Sequence, residues 1–219
     1  MRHKFLPSFV KRRGRITRSQ EKNLDLLPNY LVTTGKEIDD ISKDFQKTIL
    51  EIGFGNGGNI LSLAKNNPET LFVGSEVYLA GIGYLLGEMV RSKIANIRIN
   101  TGDIRLLIET IDEPTFDEIL IICPDPWPKA KHHKRRLINE DFFKLVYPTI
   151  KDHGVLFIST DWEEYAESIE ESIGLSNGYQ RESFSSYEES RLTKFQERAI
   201  KEGRRIFSFP LTKKINSIV

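Results

Sequence analysis

Pro124-Asp125-Pro126-Trp127 places a carboxylate, a flat aromatic ring and two rigid residues within four positions. Directly after it comes a cationic stretch without an acid: Lys129, Lys131, Lys134, Arg135 and Arg136, interrupted by His132 and His133. The prolines fix the backbone and remove two amide donors. Asp125 then serves as a rigid acceptor, Trp127 as a stacking face and the cations as partners for phosphates. That combination suits a nucleotide base held within a polyanion. Either half alone reads as less, a proline-rich turn or a solvated basic loop. The two adjacent histidines lack the spacing and the acidic company of a metal site, so no metal is expected.

A second constellation lies upstream. Gly53-x-Gly55-x-x-Gly58 follows an apolar run and precedes a helical pattern, the context of a nucleotide-binding turn. Three acids surround it at strand tips: Glu51 two residues before the first glycine, Glu76 after the second strand and Asp103 after the third. Glu76 has the spacing of a carboxylate that accepts from ribose hydroxyls, and Asp103 is placed to meet an adenine amino group. Glu51 beside the glycine turn repels a pyrophosphate and attracts the sulfonium and ammonium of S-adenosylmethionine. Singly, each acid is as readily a helix cap or a surface charge. Together they tilt the cleft from NAD towards S-adenosylmethionine.

These residues need strands to present them. Apolar runs predict strands over 48–52, 71–76, 96–100, 116–123 and 154–160, with helices over 59–65, 79–93, after Asp103 and over 139–146 between them. Asp161 is positioned to cap a helix starting at Trp162, and also to face a substrate at the pocket edge. Two last strands, over 179–184 and 205–210, are joined by a long segment containing Thr193, Lys194, Phe195 and Gln196, polar with one aromatic and suited to lie over the pocket. The expected fold class is α/β: a single Rossmann-like S-adenosylmethionine-dependent methyltransferase fold, with a mostly parallel seven-stranded sheet and an antiparallel edge. The expected division is a basic, partly flexible arm over 1–35 and a methyltransferase domain over 36–219.

The totals agree with one soluble domain. The chain has 219 residues, 29% charged and 39% apolar. Its net charge of +1 hides segregation: residues 1–22 hold eight Lys or Arg against Glu21 alone. The single cysteine, Cys123, cannot close an intrachain disulfide. No apolar run is long enough to cross a membrane and the amino terminus lacks a signal-like apolar core, so a cytoplasmic protein is expected.

With these residues in view, the chain resembles the bacterial tRNA (guanine-N7)-methyltransferase family over nearly its full length. The matching pieces are Ser8 to Thr17 with Gln20, Leu50 to Gly58, Pro124 to Lys129, Lys134-Arg135-Arg136, Thr160-Asp161-Trp162 and Thr193-Lys194-Phe195. The resemblance implies methyl transfer from S-adenosylmethionine to a guanine in the tRNA variable loop. It implies cofactor contacts from Glu51, Gly53, Gly55, Glu76, Asp103 and Asp125, with Asp125 catalytic. It implies substrate contacts from Lys129, Asp161, Thr193, Lys194, Phe195 and Gln196, and RNA contacts from Lys131, Lys134, Arg135 and Arg136. A monomer or homodimer is expected, with no accessory subunit evident. Two features depart from the family: Gln196 stands where it has Glu, and Ser190-Arg191-Leu192 replaces an Arg-Pro pair.

Three rivals stay open on the residues alone. A DNA or protein amino-methyltransferase uses Asn/Asp-Pro-Pro-aromatic at this strand tip, whereas Trp127 here follows Pro126 directly. An NAD-dependent oxidoreductase is disfavoured by Glu51. A non-catalytic RNA-binding module is disfavoured by the intact acids.

Overall fold

The structure is a computed structural model that describes residues 4–9, 15–182 and 194–214. Seven strands form one sheet in the order β3-β2-β1-β4-β5-β7-β6. They are β1 (Lys47–Ile52), β2 (Thr70–Ser75), β3 (Ile97–Asn100), β4 (Phe116–Ile122), β5 (Ile150–Thr160), β6 (Tyr179–Arg181) and β7 (Phe207–Lys213). The first five run parallel, while β7 pairs antiparallel with both β5 and β6. Every residue of β2 is buried, as expected for a parallel strand covered on both faces.

Alternation along β1 divides its side chains between two helical layers. Leu50 and Ile52 join a core with α5 (Ile104–Ile108), α6 (Glu140–Val146) and α7 (Glu163–Leu175). Ile49 packs on the other side, against the cluster formed with α3 (Gly58–Asn66) and α4 (Leu79–Ser92). Strand order reverses between β1 and β4, both parallel to their neighbours, which opens a crevice at their carboxyl ends. Each of the five parallel strands has a carboxylate within three residues of its carboxyl end: across the sheet these are Asp103, Glu76, Glu51, Asp125 and Asp161.

Much of the stretch expected as an arm is packed on the domain. Thr17 and Gln20 form a capping box that starts α1 (Arg18–Asn23), and Thr34 and Glu37 form another that starts α2 (Gly35–Ser42). α1 lies directly on α4: a Cβ at Gly83 would fall 2.2 Å from the Gln20 carbonyl oxygen, and Asn23 Nδ2 donates to the Gly83 carbonyl at 2.9 Å. The backbone of 30–32 then runs beside β3, with Ile99 N–H donating to Tyr30 and Val32 N–H donating to Ile99. That pairing covers the sheet's outer edge. Arg2, Lys11, Arg12 and Arg13 lie outside the described residues.

The two carboxyl-terminal strands form the expected antiparallel edge. β7 inserts between β5 and β6, and α8 (Lys194–Lys201) lies in the connection between them in sequence. The expected strand over 179–184 covers Tyr179–Arg181, and Phe184 lies outside the described residues. No described helix is long and apolar enough to cross a membrane.

Candidate functional site

A cavity of about 470 Å³ occupies the crevice at the strand ends. Its wall includes Gly53 and Gly55 of the glycine turn, Ser75 and Glu76 at the end of β2, Cys123 to Asp125 after β4, and Ser8 and Phe9 from the amino terminus. Among the described residues the wall carries two carboxylates and no Lys or Arg.

The glycine turn closes by local bonds. Gly53 N–H donates to the Ser75 carbonyl at 2.8 Å, and Gly53, Gly55 and Gly57 all take positive φ. Gly55 N–H donates to Glu76 Oε2 at 2.8 Å, while Val77 and Tyr78 N–H groups donate to Oε1 at 2.6 and 3.0 Å. Glu76 is thereby oriented into the crevice by backbone alone, with acceptor capacity left on Oε2. The sequence pattern pointed to Gly58, but Gly57 holds the left-handed position and Gly58 begins α3. The turn rests on α4, because a Cβ at Gly81 would fall 2.0 Å from the Gly55 carbonyl oxygen.

Glu51 sits behind the wall, 4% exposed, with Asn59 Nδ2 donating to its Oε2 at 3.1 Å. Burial pushes its carboxyl up to about 7, Asn59 opposes that shift and the neighbouring Glu76 adds to it. Asp103 is also not part of the cavity wall, which Gly102 and Ile104 line on either side of it. Its carboxylate caps α5 and is gripped by Arg105, whose Nε and Nη2 donate at 2.9 and 2.6 Å. Arg105 also reaches the amino-terminal segment, 4.6 Å over the Phe5 ring and bonded to the Leu6 carbonyl.

Asp125 is solvent-exposed in the cavity wall, on a loop bounded by two non-glycine residues of left-handed backbone, Cys123 (φ 49°) and Trp127 (φ 47°). Trp127 is anchored: its Nε1 donates to the Ser8 carbonyl at 3.0 Å and Arg135 lies 5.2 Å over its ring. Segment 4–9 therefore spans the cavity from α5 to this loop. Its contacts were not legible in the sequence, which marked Ser8 and Phe9 only as part of a basic stretch and of a family-like motif.

The cationic run divides. Lys129, Lys131 and Lys134 are exposed, Arg135 is half-buried against Trp127, and Arg136 is buried at 5% exposure. Arg136, expected among the RNA contacts, instead donates from Nε to the Pro126 carbonyl.

Asp161 does not cap α7. Trp162 holds the cap position without a side-chain bond, and the Asp161 carboxylate instead pairs with Arg204, a residue the sequence reading did not single out. The pair borders the cavity at Cys123. Burial drives that thiol up to about 12, Asp161 pushes the same way, and Arg204 opposes it. Gln196 is buried at 4% exposure on α8. Thr193 lies outside the described residues, as do the side chains of Lys194 and Phe195.

Residues 45–209 match a family model described as "Putative methyltransferase". The tRNA (guanine-N(7)-)-methyltransferase of Nitrosococcus oceani is 37% identical over 218 residues, covering 97% of this chain and 92% of the relative. The protein of that name from Wolbachia pipientis wMel is 39% identical over 191 residues, covering 86% of this chain and 85% of the relative. A solved mutant of the 16S rRNA (adenine(1408)-N(1))-methyltransferase from Catenulisporales acidiphilia, with cosubstrate SAM, matches with a TM-score of 0.60. The match covers 86% of this chain and 95% of that chain at 13% identity, a likeness of fold alone.

Proposed function

This chain belongs to the tRNA (guanine-N(7)-)-methyltransferase family, and from that premise we propose a division of labour among its own residues. The enzyme transfers a methyl group from S-adenosylmethionine to N7 of a guanine in tRNA, and the guanine we assign lies in the variable loop. The variable-loop location follows the family resemblance; methyl transfer to a base within a polyanion is carried by one juxtaposition. A cavity whose described wall has carboxylates and no cation adjoins, through Asp125, a loop bearing exposed Lys129, Lys131 and Lys134.

The cavity fits the cofactor by charge. A wall without Lys or Arg, with Glu51 buried behind it, suits a ligand carrying a sulfonium and an ammonium and disfavours a pyrophosphate. When bound, S-adenosylmethionine supplies an electrophilic methyl group. Gly53 and Gly55 admit the ligand close to the backbone, Glu76 accepts from ribose hydroxyls through Oε2, and Glu51 attracts the cationic end. Asp103, held by Arg105, fixes the adenine side of the pocket.

Guanine N7 carries an in-plane lone pair, so no base is needed to unmask it. Orientation is the larger task. Asp125 accepts from the N1 and exocyclic amino hydrogens of guanine, which turns N7 towards the methyl group. Its charge also stabilises the positive charge that develops on the purine. Lys129, Asp161 and residues 193–196 border the same base, and Lys131, Lys134 and Arg135 face the phosphates. We assign it to the cytoplasm, where its tRNA substrate is found, as a monomer or homodimer without an accessory subunit.

The test is incubation with labelled S-adenosylmethionine and an unmodified tRNA transcript, followed by cleavage chemistry selective for N7-methylguanine. One cleavage site in the variable loop is expected. Label at an adenine, or label on duplex DNA in place of tRNA, would contradict the assignment.

A further inference from the structure

Arg136 closes the cationic run, but its guanidinium points away from solvent and spans three parts of the fold. Nε donates to the Pro126 carbonyl at 2.9 Å, inside the loop that carries Asp125. Nη2 lies 3.6 Å from Glu164 Oε2 in the first turn of α7. The guanidinium also lies 4.8 Å over the ring of Tyr165, whose hydroxyl accepts from Ile138 N–H at 3.0 Å. Beside it, His133 Nε2 approaches the other oxygen of Glu164 at 3.3 Å.

Burying a guanidinium is costly, because it stays charged and must be matched by acceptors. Here one nitrogen, Nη2, is buried without a hydrogen bond. An apolar residue would serve packing better, so the charge is retained for a different task. The loop it grips supplies that task. Cys123 and Trp127 both occupy left-handed backbone, which is unfavourable for a residue with a Cβ. A loop of that kind keeps its shape only when its surroundings hold it. Trp127 is held from one side by Ser8 and Arg135, and Pro126 is held from the other by Arg136.

We propose that Arg136 is a positioning residue: it fixes the Pro126 carbonyl so that Asp125 is presented to the cavity, and it does not contact RNA. Lys131 and Lys134, exposed on the same loop, carry the phosphate contacts. This rests on the assignment of Asp125 as the catalytic group.

The test separates turnover from RNA binding. Arg136→Gln, Arg136→Lys and a Lys131→Gln, Lys134→Gln double variant are compared for kcat, for tRNA Kd and for the slope of log Kd against log salt, well below each Tm. Arg136→Gln is expected to lower kcat by at least about tenfold through misplacement of the loop. Its tRNA Kd and salt slope should stay within about twofold of wild type, and Arg136→Lys should recover part of the rate. The lysine double variant should show the reverse, a weaker Kd and a shallower slope by roughly 1 to 2. If Arg136→Gln fails to fold, Glu164→Gln stands in, with a smaller fall in kcat at unchanged Kd. A raised Kd and reduced slope for Arg136→Gln, or an unchanged kcat, would overturn the proposal. A readout free of turnover keeps it separate from the functional assignment: acrylamide quenching of Trp127 in a Trp162→Phe background. Arg136→Gln should raise that quenching even if no tRNA is methylated, and unchanged quenching would count against the proposal.

Discussion

Arg204, just beyond α8, closes an ion pair on Asp161 at the tip of β5. The contact joins the carboxyl-terminal connection to the edge of the cofactor cavity. Asp161 is 15% exposed at its side chain and Arg204 35%, so the pair is partly shielded from water. Removing Arg204 leaves Asp161 poorly matched, whereas without Asp161 the arginine keeps Glu202 at 2.6 Å. Arg204→Gln is expected to cost roughly 1–3 kcal/mol of stability, and Asp161→Asn should cost less in the Arg204→Gln background than in wild type. A double-mutant cycle by denaturant unfolding measures the coupling, expected at about 1 kcal/mol. Strictly additive effects would mean that the pair does not form in solution.

Glu51 gives a pH dependence whose sign can be worked out. Its carboxyl is raised from 4.5 to about 7, chiefly by burial. A raised carboxyl binds its proton more tightly folded than unfolded, so its stabilising contribution is full below about pH 4.5 and fades as pH rises through 7. The ionised form costs at most roughly 3 kcal/mol at pH 8. Glu51→Gln should therefore be more stable than wild type at pH 8 and nearly equal at pH 4.5. Affinity for S-adenosylmethionine moves the opposite way, since the cationic ligand favours ionised Glu51. Calorimetry should find binding strengthening between pH 5.5 and 7.5 in wild type and flat in Glu51→Gln.

The glycines separate by geometry. Alanine at Gly81 would drive a Cβ to 2.0 Å from the Gly55 carbonyl oxygen, which forces the turn off α4. At Gly58 an added Cβ meets nothing within 4 Å, and that residue lies within α3. Gly81→Ala is expected to lower stability by about 2–4 kcal/mol and to abolish measurable cofactor binding. Gly58→Ala should bind normally and melt at an equal or higher temperature. The sequence pattern alone ranks them the other way.

The same contrast shows where sequence reading reaches and where it stops. The five parallel strands were legible because burial on both faces leaves nearly continuous apolar runs, as in Ile119 to Ile122. Their end residues followed at once, so Glu51, Glu76, Asp103, Asp125 and Asp161 were found together. What those carboxylates touch was not legible, because Arg105 and Arg204 reach them through geometry that spacing does not encode. The packed helices α1 and α2 had a written signal in Thr17 with Gln20 and Thr34 with Glu37, outweighed for α1 by the surrounding positive charge. Arg136 looked like its exposed neighbours because charge does not report burial. The following Leu137 and Ile138, both buried, were the available hint.

The central claim is that a carboxylate at position 125, held in this loop, drives methyl transfer to guanine N7. The most direct measurement is the single-turnover rate of Asp125→Asn with cofactor and tRNA both saturating. The variant keeps the shape and removes the charge. A fall of about 100-fold or more, with cofactor and tRNA affinities within a few-fold of wild type, is expected. A wild-type rate in Asp125→Asn would contradict the account.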